Sequence, residues 1–237
     1  MGRAMTRAVL IFVALLFAIP SWAVTRDTVT TGRKPNTGTT LTVPHTVTAG
    51  GGNRAIYVLC GVRHRTITAS ATYGGEAMTA VRDTDTHGST NIRSYIWRLL
   101  DPTTGANDWE VTQSSGTAMA CWAISLTDVH QTVPETDSDG VCASGDPSVT
   151  LTTATDELLL DVMAQAILGS ATPDANQTEE YDEQTTENTL TVSGTRQAGA
   201  DGGVMSQTKS SGNVSCYSAV AVAHAAFSTN FGPLRRR

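Results

Sequence analysis

Residues 54–62 read RAIYVLCGV, a short apolar run that follows a glycine-rich turn at 49–53. Both faces of this run are apolar, as expected of a strand in the middle of a sheet. Comparable runs recur at 92–100, 118–126 and 158–167, each next to turn-forming residues. Many short strands separated by turns predict an all-β protein.

The composition narrows the class of protein. Hydrophobic residues make up 40% of the 237 residues, which is enough for a core and argues against wholesale disorder. No apolar run reaches the length of a spanning helix, so a polytopic membrane protein is excluded. A net charge of −6 argues against a nucleic-acid partner. The length fits one large β domain.

The N-terminus has the pattern of a signal peptide. Arg3 and Arg7 precede an apolar run at 8–19, and Ser-Trp-Ala at 21–23 resembles a cleavage site. We therefore predict a signal peptide over 1–23, a secreted or cell-surface protein, and no membrane span after cleavage. An uncleaved anchor is the alternative, although the apolar run is short for a span.

Four cysteines remain after cleavage, and an even number in an exported chain predicts two disulfides. Three connectivities are open, and buried free thiols are the alternative because most of these residues lie in apolar strand-like runs. No Cys/His spacing typical of zinc is present. The candidates are Cys60, Cys121, Cys142 and Cys216.

We divide the mature chain into three parts. Residues 24–38 are polar, rich in threonine and glycine, and without periodicity, which predicts a flexible leader. Residues 39–229 are predicted to form one antiparallel two-sheet β-sandwich of jelly-roll type. Residues 230–237 form a basic tail.

The sandwich shows signs of two similar half-units. Gln-Ser-Ser-Gly at 113–116 precedes Cys121-Trp122, and Lys-Ser-Ser-Gly at 209–212 precedes Cys216-Tyr217. Two half-units whose apolar sheet faces cover each other would explain this spacing. The alternative is that all β sequences rich in serine, glycine and threonine look alike.

Four segments, at 73–79, 95–105, 125–134 and 173–179, carry a family resemblance. Over nearly the whole mature chain, the sequence resembles poorly characterised β-sandwich modules of bacterial secreted proteins and phage-associated surface proteins. The resemblance implies a β-sandwich, and it carries no catalytic motif. It also keeps a virion surface protein among the alternatives.

Catalytic patterns are weak. The sequence has no G-x-S-x-G elbow, and its histidines are scattered. The acidic run at 179–183 could supply paired carboxylates, but such a run is more typical of a solvated edge strand. We expect that the protein is not an enzyme.

Calcium is the one cofactor that the sequence suggests. Asp83 and Asp85, and likewise Asp137 and Asp139, place carboxylates two residues apart on predicted loops, as hard cations prefer. Ordinary turn chemistry is the alternative, because aspartate and glycine favour turns.

Trp109 is the best candidate for an exposed aromatic platform, since Asn107 and Asp108 beside it are polar. Trp97 and Trp122 lie in strands and are predicted to fill the core. The leading prediction is a non-enzymatic extracellular structural or adhesive protein, such as a self-assembling surface or filament subunit. A carbohydrate-binding module is the main alternative. The expected partners are copies of the chain or a surface glycan or protein.

Overall fold

The structure is a computed structural model. The predicted signal peptide, apart from its last residue, and the predicted basic tail lie outside the residues that it describes. The described residues are 23–64, 66–85, 92–185, 190–210 and 212–225.

The described chain contains seventeen β-strands and one short 3₁₀ turn at Gly199–Asp201. The strands are β1 Thr25–Lys34, β2 Thr40–Val47, β3 Ala55–Val62, β4 Ala69–Tyr73, β5 Glu76–Ala77, β6 Thr79–Asp85, β7 Arg93–Leu100, β8 Gly105–Gln113, β9 Met119–Thr127, β10 Glu135–Ala143, β11 Ser148–Thr150, β12 Leu158–Gln165, β13 Ala171–Pro173, β14 Thr178–Thr185, β15 Leu190–Ala198, β16 Val204–Lys209 and β17 Ser215–Val222.

These strands form four antiparallel sheets. The first central sheet has the order β1-β9-β3-β7-β6, and the first outer sheet has the order β2-β8-β4-β5. The second central sheet has the order β10-β17-β12-β15-β14, and the second outer sheet has the order β11-β16-β13. We call β1–β9 the first half and β10–β17 the second half.

Three apolar layers hold the four sheets together. Tyr57 and Trp122 of the first half pack with Leu160 of the second half between the two central sheets. Trp109 lies in the layer between the first central and first outer sheets. Tyr217 lies in the corresponding layer of the second half. The outer sheets therefore face solvent at opposite ends of the stack.

Both central sheets are covered on both faces, which explains their apolar strands. Every residue of β3 and of β12 is buried. The apolar run at 54–62 therefore forms a central strand, as its two apolar faces predicted. The all-β, antiparallel fold class is confirmed. The predicted two-sheet sandwich corresponds to the two central sheets, and the structure has two outer sheets in addition. The jelly-roll connectivity stays a prediction.

The two halves follow one plan. In each central sheet the first strand of the half pairs with its last strand, which also pairs with the third strand of that half. Bulges interrupt β1 and β10, and bulges also interrupt the other edge strands, β6 and β14. Among the described strands, only β5 lacks a counterpart in the second half. The predicted similarity of two half-units is therefore visible in strand order.

Residues 24–38 are not the flexible leader that the sequence predicted. Residues Thr25–Lys34 form β1, which pairs with β9 along almost its whole length. The strand is polar because it lies at a sheet edge, where nine of its ten residues are exposed or only partly buried. The β-sheet domain therefore begins before residue 39, the start that the sequence predicted.

Each half contains one disulfide. Cys60 of β3 is bonded to Cys121 of β9, and Cys142 of β10 is bonded to Cys216 of β17. Both bonds join residues directly opposite each other on neighbouring strands, with Cα atoms 4.1 and 4.2 Å apart. The predicted disulfides are confirmed, and one of the three connectivities is selected.

The sequence has two lysines, and the ammonium group of each is held by carbonyl oxygens of a single half. The Lys34 ammonium donates to the carbonyl oxygens of Pro35, Gly38 and Thr117. The Lys209 ammonium contacts three carbonyl oxygens, among them Ser144 O at 3.0 Å. Each lysine thereby ties the loop after the first strand of its half to the loop before the last strand.

Candidate functional site

A groove of about 720 Å³ lies on the solvent-facing side of the first outer sheet. Concave surfaces with convergent polar groups are the usual places for ligands, so this groove is the candidate site. Strands β2, β4 and β8 and the turn after β4 contribute its lining. The lining residues are Thr42, Pro44, Thr72, Gly74, Gly75, Ala106, Asn107, Asp108 and Glu110.

Strand alternation places acids on the floor of the groove. Along β8, Trp109 and Val111 point into the protein and are fully buried, whereas Asp108 and Glu110 line the groove. Successive side chains of a strand point to opposite faces, so the buried aromatic and the two acids that line the groove follow from one period-two pattern.

Neighbouring hydroxyl groups hold the Glu110 carboxylate. Thr42 donates to its Oε2 atom at 3.2 Å, and Thr112 donates to its Oε1 atom at 3.3 Å. The groove thus offers carboxylate oxygens, hydroxyl groups and the Asn107 amide within a small area. Such groups can accept hydrogen bonds from sugar hydroxyls or from amines.

Two glycines shape one end of the groove. Gly74 and Gly75 have φ angles of 57° and 82°, a left-handed conformation that favours glycine. A Cβ atom at Gly74 would lie 3.4 Å from Asn107 Oδ1. The turn therefore leaves room for the Asn107 side chain beside the groove.

Trp109 is not an exposed platform, and that prediction is wrong. Its indole is buried below the groove, and Nε1 donates to Thr30 Oγ1 at 2.9 Å. The same hydroxyl oxygen lies 2.8 Å from Nδ1 of buried His45. Burial lowers the pKa of His45 to about 4, so the imidazole is neutral near pH 7. Asn107 and Asp108 do line the groove, and their role in binding stays a prediction.

The calcium candidates lie in edge strands and not in loops. Asp83 is paired with Arg93, and Asp85 ends β6. Asp137 accepts hydrogen bonds from two backbone amides, and Asp139 lies 3.4 Å from Arg82. The described part of the chain contains no group of three or more His, Cys, Asp or Glu residues arranged to hold a metal ion. Calcium binding at these aspartates stays a prediction.

A buried polar cluster between the sheets of the second half was not predicted. The Asp161 carboxylate accepts hydrogen bonds from Gln177 at 2.9 Å, from Gln207 at 2.8 Å and from Tyr217. Thr195 donates to it through both its backbone amide and its hydroxyl. Burial raises the pKa of Asp161 to about 6, against the effect of these hydrogen bonds. The one sequence signal was an aspartate that interrupts the apolar run at 158–167.

No protein-family model, curated protein or solved structure matches the chain. The two disulfides indicate that the protein matures in an oxidising environment of the extracellular kind. Within the described ranges, no helix has the length and apolar character that crossing a membrane requires.

Proposed function

We propose that the protein is a non-enzymatic extracellular module with a structural or adhesive role. The observation that carries this proposal is the four-layer stack, in which disulfide-closed halves cover each other and present polar outer sheets at opposite ends. A rigid body with two opposed polar faces suits a unit that bridges neighbours on a surface. The predicted signal peptide supports a role outside the cell.

Electron microscopy of the native material tests this proposal. We expect ordered filaments, a surface layer or particles retained on the cell envelope. A freely diffusing monomer that turns over ester or glycoside substrates would contradict both the structural role and the absence of catalysis. The oxidised protein must be used, because the disulfides close each half.

Carbohydrate binding is the second candidate, and the groove on the first outer sheet favours it. The groove gathers two carboxylates, hydroxyl groups and an amide, which are the polar groups that orient a sugar. None of the described residues that line it is aromatic, so binding would depend on hydrogen bonds.

A glycan array distinguishes this candidate. Binding by the native protein should be lost in Asp108→Asn combined with Glu110→Gln, while Glu179→Gln, an exposed acid on β14, should bind normally. Trp109→Ala is unsuitable as a test, because Trp109 is fully buried and its truncation would leave a destabilising cavity in the core. A blank array, or equal binding by all three proteins, would exclude the groove as a glycan site.

A further inference from the structure

The two halves meet through packing that is specific to unlike partners. Trp122 of the first half lies against Gly194 of the second half, so closely that a Cβ atom at Gly194 would be 2.1 Å from the indole Nε1. In the opposite direction, Val192 of the second half lies against Gly61, where a Cβ atom would be 2.4 Å away. Each half therefore offers a glycine to a side chain of the other.

Equivalent positions show why two first halves do not fit together. The two halves pack symmetrically, since β9 contacts β14 and β15 while β17 contacts their counterparts β6 and β7. Gly194 follows the bulge in the β14–β15 pair, and Ile96 occupies the same place in the β6–β7 pair. Pairing like halves in this arrangement would press Trp122 against Ile96 instead of a glycine.

The charges at the interface also differ between the two halves. Among the described residues, four ion pairs join the halves, and in each the arginine belongs to the first half and the acid to the second. Glu180 and Glu183, in the run predicted to be a solvated edge, take part in two of them. The pairs are Arg26–Glu180, Arg33–Glu183, Arg82–Asp139 and Arg98–Glu135.

Covalent bonds join the described halves at one place only. Both disulfides lie within a half, so the connection is the segment 128–134 between β9 and β10. Thr132 and Val133 in this segment are exposed, whereas Val129 and Pro134 are buried. If the halves separate, this segment must extend, and each half keeps its own disulfide.

The geometry points to a second copy of this chain as a partner for the same interface. The first half of one copy binds the second half of another, and the remaining halves bind in return or recruit further copies. Because the joined surfaces are unlike, the association is head to tail and can close into a dimer or continue as a filament. This inference rests on the proposed structural role and specifies how its subunits would assemble.

Two charge-reversed full-length chains test the exchange. One carries Arg33→Glu and Arg82→Glu, and the other carries Glu183→Arg and Asp139→Arg. Each chain alone sets like charges against each other within its own interface, whereas exchange between the two restores attraction at both interfaces. The oxidised chains are unfolded in denaturant, mixed, refolded together and analysed by native mass spectrometry. We expect the mixed dimer in roughly tenfold excess over either homodimer, from several exposed pairs of modest strength.

A third chain with all four substitutions is the folding control. It restores opposite charges within one molecule and should refold as the native protein does. If this control folds and the mixture yields only monomers, only unfolded chains, or homodimers as abundant as mixed dimers, the exchange is excluded. If the control itself does not fold, a mixed dimer between the two paired variants still supports exchange, and its absence still counts against exchange. Electron microscopy and glycan binding use native material that has not been refolded. Their results therefore test the proposed function separately from the exchange.

Discussion

Cys121 of β9 and Cys216 of β17 lie on opposite faces of equivalent strands. Cys121 faces the first outer sheet, where it is bonded to Cys60, whereas Cys216 faces the layer between the two central sheets and is bonded to Cys142. The two disulfides therefore reinforce different layers of the stack, although each half contains one.

The sequence similarity that aligned Cys121 with Cys216 correctly identified β9 and β17 as equivalent strands. The two cysteines themselves do not occupy equivalent positions in those strands. Cys121 is the fifth residue after Gly116, but Cys216 is the fourth after Gly212. A shift of one residue along a strand moves a side chain to the other face of the sheet. Equivalence of turns thus does not guarantee equivalence of the residues that follow them.

Gly194→Ala should destabilise the contact between the halves. The new Cβ atom would meet the buried Trp122 indole, and overpacking of this kind costs about 1–3 kcal/mol in the free energy of unfolding. Gly50→Ala is the matched control, because no atom lies near that position. Denaturant unfolding measures both variants, and equal stability of the two would contradict the tight packing at Gly194.

Amine-reactive reagents should not label either lysine of the folded protein. Lys34 and Lys209 are 5% and 8% exposed, and their ammonium groups are held by backbone carbonyl oxygens. Brief labelling followed by peptide mass spectrometry should modify the α-amino group alone, and labelling in denaturant should modify both lysines. A native protein that is labelled quickly at Lys34 would show that its loops are not tied together as described.

His45 should make the protein less stable as the pH falls. Its pKa is lowered from 6.5 to about 4 by burial, so the unfolded chain takes up a proton at a higher pH than the folded one. The stabilisation from neutral His45 is complete above pH 6.5 and falls by about 3 kcal/mol as the pH approaches 4.

The contribution of His45 is isolated by comparing the native protein with His45→Gln across this pH range. Asp161, whose pKa is raised to about 6, acts in the opposite direction, but it is present in both proteins and cancels in the difference. His64→Asn, at an exposed histidine, is the control for loss of an imidazole elsewhere in the chain. Parallel profiles for the native protein and His45→Gln would refute the assignment.

The interior strands could be predicted from the sequence because burial leaves a direct pattern. Strands β3, β9 and β12 are covered on both sides, so their residues are apolar throughout or nearly so. Turn-forming residues between these strands indicate where most of them begin and end. The strongest predictions therefore concern the centre of the stack.

The edge strands were harder to recognise, and the reason is physical. β1 was predicted to be a flexible leader, and the aspartates of β10 were assigned to a loop. These two strands are equivalent edge strands of the two central sheets, and most of their residues are only partly buried. An edge strand is held largely by backbone hydrogen bonds to one neighbour, which leave little trace in the side-chain pattern.

The candidate site was predicted in part. Asn107 and Asp108 line the groove, whereas Trp109 between Asp108 and Glu110 points inward, contrary to its prediction as an exposed platform. The cluster around Asp161 was beyond prediction, because Gln177 and Gln207 lie far along the chain and meet it only across stacked sheets.

The central claim is that two equivalent halves, each closed by its own disulfide, fold against each other. Peptide mapping of the unreduced protein by mass spectrometry tests it most directly. The account predicts two cross-linked peptides, one joining Cys60 to Cys121 and the other joining Cys142 to Cys216. A disulfide between the halves, such as Cys121 to Cys216, or four free thiols in the native protein, would contradict it.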